Sequence, residues 1–496
     1  MSSDVNIFKN SEPLKFNILY VILFLAVLQL FIALFTNGFL MSADEAMWHY
    51  IGRNWFRNGL IPYSTGGIDN KSPLIFAIFG LSDKLFGINY WFPRVLGTIC
   101  QSVGIYCVYK IATHFANKQT GLFAVLFYGL SVLWHCADGK YVSYTETYEI
   151  LFITIAFYTL LIASNKRGFF LSGVLSAFAL GFRQSAAFGI VPMFITAFRK
   201  GWVYSLNYCL GLLVGTALLI ALCWLVGIDI HKMLFYTFAD NYGPGSTTDH
   251  VLMWRMEQFF NMFLYSELVL FYPLVLGYIF INRKADWLII WLVVEFLGIC
   301  IVGNYARVHL KEMLPPISII SALTLSHLIN VYQLPSKPVL AIVFLCFFPR
   351  LLEPLVNLKK LLSAKTLTAE QYCREPFTQP EEEACKKLGQ WVKANTPSTE
   401  KVLVAGYGAQ VQVYTERLSP SVFFNATQQT EADKKVLFKD IDSHKPGMIL
   451  IPLFPEYTKY VDAEVRQYLA NLVAKEYDAS QCLYNYTVYQ IKQNGK

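Results

Sequence analysis

From Asn17 onward the chain alternates long apolar runs with short polar breaks, and the polar fraction rises for good only after about Ser363. The first run, from about Asn17 to Leu40, is long enough to cross a bilayer as a helix. It is too long for a signal-peptide core and lacks a small-residue cleavage site, so it is predicted to be an uncleaved transmembrane helix. Comparable runs follow at 92–113, 119–136, 146–163, 169–182, 185–198, 203–226, 259–281, 286–302, 312–330 and 338–357. Together they predict about eleven spans, with 169–182 and 185–198 short for the purpose.

The polar stretches carry their own pattern. Between the first two runs, Ala43–Asn58 and Pro73–Phe86 are spaced as amphipathic helices lying on the membrane surface. Beyond Ser363 a helical pattern around Glu381–Lys393 stops at Asn395-Thr396-Pro397. Short strands are expected at Lys401–Ala405, Val422–Phe424 and Met448–Leu453, alternating with helices near 430–442 and 456–473. The fold expected is mainly α: a polytopic transmembrane helix bundle over residues 1–360, whose first outer loop is 42–94. A small C-terminal α/β domain, residues 361–496, completes it.

Composition agrees with the pattern. Of 496 residues 55% are hydrophobic and 15% charged, against about 25% charged in soluble domains. The net charge of +7 comes with no long basic run, so nucleic acid is excluded as a partner. The ten cysteines show no CxxC or zinc-finger spacing. Cys373, Cys385 and Cys482 lie in the C-terminal domain, where a disulfide is permitted but its pairing is not readable. Lys9 and Lys15, Lys166 and Arg167, Arg199 and Lys200, Arg283 and Lys284, and Lys337 fall on one side of the predicted spans, which should be cytoplasmic. The first loop and the C-terminal domain are then extracytoplasmic.

The first loop, Ser42 to Arg94, holds the densest candidate chemistry. Two adjacent carboxylates, Asp44 and Glu45, stand where the chain leaves the first span. Arg53, Arg57, Lys71, Lys84 and Arg94 follow, among Trp48, Trp55, Tyr63 and Trp91, aromatics that favour the water–lipid boundary. A carboxylate and spaced cations at that depth suit a reaction on a phosphate-bearing lipid. Asp44-Glu45-Ala46, Pro62-Tyr63, Asp69-Asn70-Lys71-Ser72-Pro73-Leu74, Leu85-Phe86-Gly87 and Arg94 come in this order. The ordered set resembles the first extracytoplasmic loop of GT-C superfamily glycosyltransferases. It is most similar to the bacterial branch related to protein O-mannosyltransferases and lipid A aminoarabinose transferases.

That resemblance implies a membrane enzyme that takes a sugar from a polyprenyl-phosphate donor and gives it to a lipid, glycan or protein acceptor, with inversion. An acceptor hydroxyl attacking the anomeric carbon needs one base, and the departing phosphate needs cations more than an acid. One key carboxylate with several Arg and Lys is therefore expected, not the two matched carboxylates of a glycoside hydrolase.

Asp44 is the candidate base, with Glu45 either a second catalytic carboxylate or a helix cap. Lys71 is the first candidate for the donor phosphate, because an ammonium can follow a moving oxygen as a point charge. Arg183, Arg307 and His309 are further phosphate candidates, and Arg255 and His250 add cations in the long loop. Glu146, Tyr63 and Lys140 are candidates for the sugar or acceptor. Glu149, one turn beyond Glu146, is costly inside a span and so is suspect as well. Arg94 is expected to be a snorkelling headgroup anchor. Met47 stands where close relatives place an Arg, which removes one expected contact.

No cofactor is required by this chemistry, although Asp44 and Glu45 could hold a divalent metal with water. Gly406-Tyr407-Gly408 lacks the GxGxxG pattern of a dinucleotide site, and Asn425-Ala-Thr427 and Asn485-Tyr-Thr487 are glycosylation sequons by pattern only. The alternatives are a non-enzymatic lipid or glycan transporter, which should carry midplane charges and inverted repeats, and a polymerase or ligase moving whole glycans.

Overall fold

A computed structural model describes residues 17–35, 40–135, 140–239, 252–264, 266–282, 286–303, 305–363, 367–374, 382–427, 430–453, 458 and 460–492. Lys9, Lys15, Asp138, Gly139, His250, Arg283 and Lys284 lie outside the described residues, as does the side chain of Lys140. In chain order the first nine helices are α1 Ile18–Phe35, α2 Ala43–Asn58, α3 Pro73–Phe86, α4 Trp91–Phe115, α5 Lys118–His135, α6 Thr145–Ile162, α7 Lys166–Leu180, α8 Ala186–Lys200 and α9 Trp202–Leu225. Next come α10 Leu252–Leu264, α11 Tyr272–Asn282, α12 Trp287–Val302, α13 Leu314–Val331 and α14 Ser336–Leu362. The C-terminal stretch adds α15 Glu382–Asn395, α16 Gln410–Thr415, α17 Glu431–Ser443 and α18 Ala463–Glu476, with strands β1 Val402–Val404, β2 Met448–Pro452, β3 Tyr477–Leu483 and β4 Tyr486–Ile491.

Helices occupy all eleven predicted apolar runs, but among the described residues only six are long and apolar enough to cross a membrane unaided. A seventh arises if the pair bent by 51° across Leu252–Asn282 counts as one span. The fifteen-residue helices α7 and α8 fall short.

The chain divides into two compact units. The first comprises Met1–Asn37, Arg94–Leu222 and Thr248–Leu362; the second comprises Gly38–Pro93, Cys223–Thr247 and Ser363–Lys496. The observed boundary at Leu362 lies next to the expected one, whereas the first loop groups with the C-terminal segment instead of the bundle.

In the first unit, the indole of Trp291 stacks on Phe157 at 3.9 Å between ring centroids. Helices α7 and α9 approach closely at glycines: a Cβ on Gly173 would stand 2.1 Å from the Tyr208 carbonyl, and one on Gly211 would stand 2.0 Å from that of Phe170. Small residues at such crossings are how helices associate where lipid offers no hydrophobic drive. Only 22% of α1 and 17% of the apolar window of α9 are buried, an outward apolar surface that water would not tolerate. Arg94 departs from expectation. It is fully buried, and its Nη1 donates to the Ala33 carbonyl at 2.8 Å. It thereby satisfies one of the carbonyls left open at the C-terminus of α1, instead of reaching for headgroups.

In the second unit, α2 begins with a capping box: Glu45 N–H donates to Ser42 Oγ, and Ser42 N–H donates to Glu45 Oε2 at 3.0 Å. It ends at Gly59, whose φ of +69° suits a left-handed cap. Pro73 opens α3 at a position where its missing N–H costs nothing. The two helices touch backbone to backbone, since a Cβ on Gly52 would lie 2.5 Å from Gly80 N. The four-stranded sheet runs β1-β2-β4-β3, parallel between β1 and β2 and antiparallel elsewhere. The expected strand at Val422–Phe424 does not form. Its Val422 carbonyl accepts from Ile68 N–H at 3.2 Å, and the chain turns at Ala426 with φ +55°. Cys373 pairs with Cys482, and Cys385 is a buried free thiol. Asn425 and Asn485 are both buried, so neither sequon presents its amide on the described surface.

Candidate active site

The second unit builds a site around the N-terminus of α2. The capping box employs Glu45, which is fully buried, while Asp44 on the same turn is left half-buried. Tyr407 Oη donates to Asp44 Oδ1 at 2.5 Å. Tyr407 sits in the Gly406-Tyr407-Gly408 loop, where Gly408 has φ +90° and a Cβ on it would meet that of Ala43 at 3.1 Å. Glycine therefore lets this loop lie against the first turn of α2. The tyrosine was not identified from sequence; 363 residues separate it from its partner.

Tyr63 organises the next segment. It is fully buried, and its hydroxyl faces the carbonyls of Asp69, at 2.7 Å, and Lys71. Burial first, then the charge of Asp69, pushes its phenol well above the usual range. Its hydroxyl is thus spent on holding the Asp69–Lys71 backbone, and no free edge is left to contact a sugar. Burial also pushes the carboxyl of Asp69 upward; Lys71 opposes this and Asp44 adds to it, so both groups lie within electrostatic reach of Asp69. Asp69 Oδ1 accepts from Asn70 N–H at 2.8 Å, and a hydrogen bond from the Trp48 side chain also favours the charged carboxylate. Met47, at the position of the relatives' Arg, has its sulfur 3.6 Å from Asn425 Nδ2.

Other cations of the first loop are already engaged. Arg53 Nη1 donates to Asp83 Oδ1 at 3.2 Å, Arg57 Nε donates to Asp83 Oδ2, and Arg53 Nη2 reaches Glu416 Oε2 at 3.0 Å. Lys393 bonds the other oxygen of Glu416 at 2.6 Å. Partial burial raises the Glu416 carboxyl, but the bonds from Lys393 and Arg53 more than offset it and hold it below the usual range. His49 lies fully buried beside this network, 3.6 Å from Asp83, with neither ring nitrogen hydrogen-bonded. Burial outweighs the attraction of Asp83 and lowers the imidazole to about 4, so it is neutral near pH 7 and the Asp83 contact is not an ion pair.

The first unit has a separate polar cluster. Arg183 is nearly buried and pairs with Glu146, with Glu312 at 3.1 Å and, more distantly, with Glu149 at 3.8 Å. Its Nε also donates to Ser185 Oγ at 2.7 Å. His309 Nε2 stands 3.6 Å from Glu146. Lys311 Nζ donates to Thr147 Oγ1 at 2.6 Å and to the Tyr141 carbonyl at 3.0 Å. Arg307 grips Glu353 with both terminal nitrogens, at 2.9 and 2.8 Å. Among the described residues, no group of three or more His, Cys, Asp or Glu side chains is placed to hold a metal ion.

Comparison places this architecture. The family described as dolichyl-phosphate-mannose-protein mannosyltransferase matches residues 70–226. No curated protein matches the chain in sequence. ArnT from Cupriavidus metallidurans, solved bound to undecaprenyl phosphate, superposes with a TM-score of 0.64 at 13% identity, over 96% of this chain and 98% of that one. This is the GT-C fold. Archaeal oligosaccharyltransferase AglB from Archaeoglobus fulgidus, in complex with an inhibitory peptide and a dolichol-phosphate, is also similar: TM-score 0.56, 12% identity, 96% of this chain and 74% of that one. The mycobacterial arabinofuranosyltransferase AftD matches at 0.52 and 11% identity, over 98% of this chain and 42% of that one. With these relatives and its outward apolar helices, the chain is an integral membrane protein.

Within this fold the nine principal site residues expected from sequence fall into two groups. Asp44, Glu45, Tyr63 and Lys71 belong to the second unit, and Lys140, Glu146, Arg183, Arg307 and His309 to the first. Arg183, Arg307 and His309 each face a carboxylate, so a phosphate would have to compete for them. Glu146 is committed to Arg183 in the same way. Lys140 opens a short 3-10 turn, Lys140–Ser143, just before α6.

Proposed function

We propose that this protein is a glycosyltransferase that moves a sugar from a polyprenyl-phosphate donor to a lipid, glycan or protein acceptor, with Asp44 as the base. The observation that carries the reading is the placement of Asp44. It is half-buried on the first turn of α2, held by Tyr407, and shares the electrostatic surroundings of Asp69 with Lys71. A carboxylate fixed by one hydrogen bond keeps its second oxygen for the acceptor hydroxyl. Deprotonating that hydroxyl as it attacks the anomeric carbon is general-base catalysis. Lys71 supplies positive charge for the phosphate that departs.

The displacement forms one glycosidic bond, breaks the sugar–phosphate bond and inverts the anomeric carbon. The base, the cation and the leaving phosphate complete it, with no cofactor. Glu45 stabilises α2 through its capping box and has no chemical step in this scheme. The Cys373–Cys482 disulfide supports placing the second unit on the oxidising, extracytoplasmic side of the plasma membrane.

The test supplies purified protein with a panel of radiolabelled polyprenyl-phosphate sugars and a crude membrane acceptor fraction, and compares the wild type with Asp44→Asn. Transfer from at least one donor is expected, with a loss of about a hundredfold or more in the variant. No transfer from any donor would move the reading to a transporter, and near-normal transfer by Asp44→Asn would remove Asp44 as the base.

A further inference from the structure

The loop that carries Lys71 is pinned from inside the second unit by a residue in a strained conformation. Tyr63 has φ +62°, a left-handed backbone that is uncommon for so bulky a side chain. The turn around it is tightly wound. The N–H groups of Ser64, Thr65 and Gly66 donate to the Ile61 carbonyl at 3.1, 3.0 and 2.7 Å, and a Cβ on Gly66 would stand 2.5 Å from the Leu60 carbonyl oxygen. Backbone strain of this kind persists only where the surroundings fix it, and it gathers at functional sites.

What the strain secures is the direction of the phenol. The ring is fully buried, with its centroid 6.1 Å from Phe76 of α3 and 6.5 Å from Tyr236, on which it stacks. Its hydroxyl reaches the carbonyls of Asp69, at 2.7 Å, and of Lys71, and the Thr237 side chain bonds to the same hydroxyl. A phenol both donates and accepts, so one group ties two carbonyls two residues apart to a third segment of the chain. That segment is a turn of π-helix, Phe235–Ala239, a geometry frequent at functional sites. Tyr236 is itself anchored, its Oη donating to Asp433 at 2.5 Å. Beside Tyr63, Ser64 Oγ donates to the Gly227 carbonyl at 2.8 Å and accepts from Asp229 N–H at 2.9 Å. The Lys71 backbone is thus tied to the segment that follows α9.

We infer that Tyr63 is a positioning residue for the donor phosphate: its hydroxyl fixes the Lys71 backbone, Thr237 fixes that hydroxyl, and Lys71 meets the phosphate from one starting geometry. Tyr63 touches no substrate and acts through Lys71, in place of the direct sugar or acceptor contact expected of it. A lysine carries its charge on a long flexible stem, and binding gains when the freedom left to lose is already reduced. The inference rests on the reading that Lys71 takes the phosphate, and it adds two residues, Tyr63 and Thr237, on which that contact depends.

The test is a double-mutant cycle on the full chain in lipid nanodiscs, with the affinity for sugar-free undecaprenyl phosphate as the readout. It compares the wild type, Tyr63→Phe, Lys71→Ala and the pair. Tyr63→Phe keeps the ring and loses the hydroxyl, and should weaken binding about tenfold, the equivalent of one neutral hydrogen bond. In the Lys71→Ala background the same substitution should cost nothing further. Thr237→Val, which leaves the phenol in place, is the second variant and should weaken binding about threefold, again only while Lys71 is present. A pair whose losses multiply overturns the proposal, because a residue that serves only the fold weakens binding whether or not Lys71 is there. A loss in Lys71→Ala beside wild-type binding in Tyr63→Phe and Thr237→Val removes this proposal alone. A wild type that does not bind, or an unweakened Lys71→Ala, removes the phosphate role of Lys71 together with it.

Discussion

His49 offers a direct measurement of how burial outweighs charge in the second unit. Its imidazole is enclosed by α2 and α3, meets the edge of Phe79, and stands 3.6 Å from an aspartate that already bonds two guanidiniums. Burial is the largest influence and brings it from 6.5 to about 4. The sign follows from proton uptake. Below pH 6.5 the unfolded chain binds a proton here that the folded chain refuses, so stability is full above 6.5 and falls as pH drops toward 4, levelling off below. The gap of about 2.5 pH units corresponds to about 3 kcal/mol, with no discount for solvent because the ring is fully buried. His49→Gln keeps a neutral polar side chain of similar reach but cannot titrate. Thermal unfolding in detergent between pH 7.5 and 4 should show a steeper loss for the wild type than for the variant, with the difference confined to 6.5–4. A difference curve that is flat, or that rises toward low pH, would show that Asp83 prevails over burial and would refute the argument.

Two further outcomes test other parts of the structure. The Cys373–Cys482 bridge closes a separation of 109 residues, for which loop-closure entropy gives about 5 kcal/mol of stabilisation. Dithiothreitol should lower the unfolding temperature of the wild type but not that of Cys373→Ser/Cys482→Ser, and equal shifts in both would contradict the pairing. Tyr407→Phe removes a hydrogen bond to a charged acceptor, worth about 1.5–3 kcal/mol. The transfer assay should therefore show a fall of about ten- to a hundredfold in kcat/KM, and an unchanged value would detach Tyr407 from Asp44.

Helices α2 and α3 were legible to the residue because their ends are chemical: Ser42 with Glu45, Gly59, and Pro73 each mark a boundary that no distant contact overrides. The hairpin of β3 and β4 was not. Its two-residue turn is Tyr484-Asn485, both at positive φ, in place of the Asn-Gly or Asp-Gly that usually marks such turns. Strand β3 also carries Asp478, Ser480 and Gln481 where a β-branched pattern would have shown it. The apolar run Val422–Phe424 misled for the opposite reason. Its aromatics pack on Tyr50 and Tyr236, and the segment pairs with a loop residue, not with a strand.

The charges of the site follow the same rule at longer range. From sequence, the first loop holds a surplus of cations, and an unassigned cation near a membrane surface reads as a phosphate ligand. The structure removes most of that surplus. Arg53 and Arg57 neutralise a fully buried Asp83, with Glu416 bound from the C-terminal segment, and Arg94 caps the carbonyl end of α1. Breaking a buried pair by deleting one partner costs several kcal/mol, so these arginines are held for the fold whatever ligand arrives. A phosphate can recruit only a cation whose present contacts are cheaper to give up than its own. The scheme proposed above therefore gives the phosphate to Lys71, half-exposed on a loop whose backbone Tyr63 holds, and not to these arginines. The distinction rests on which carboxylate each cation meets, and those partners stand as many as 363 residues away in the chain.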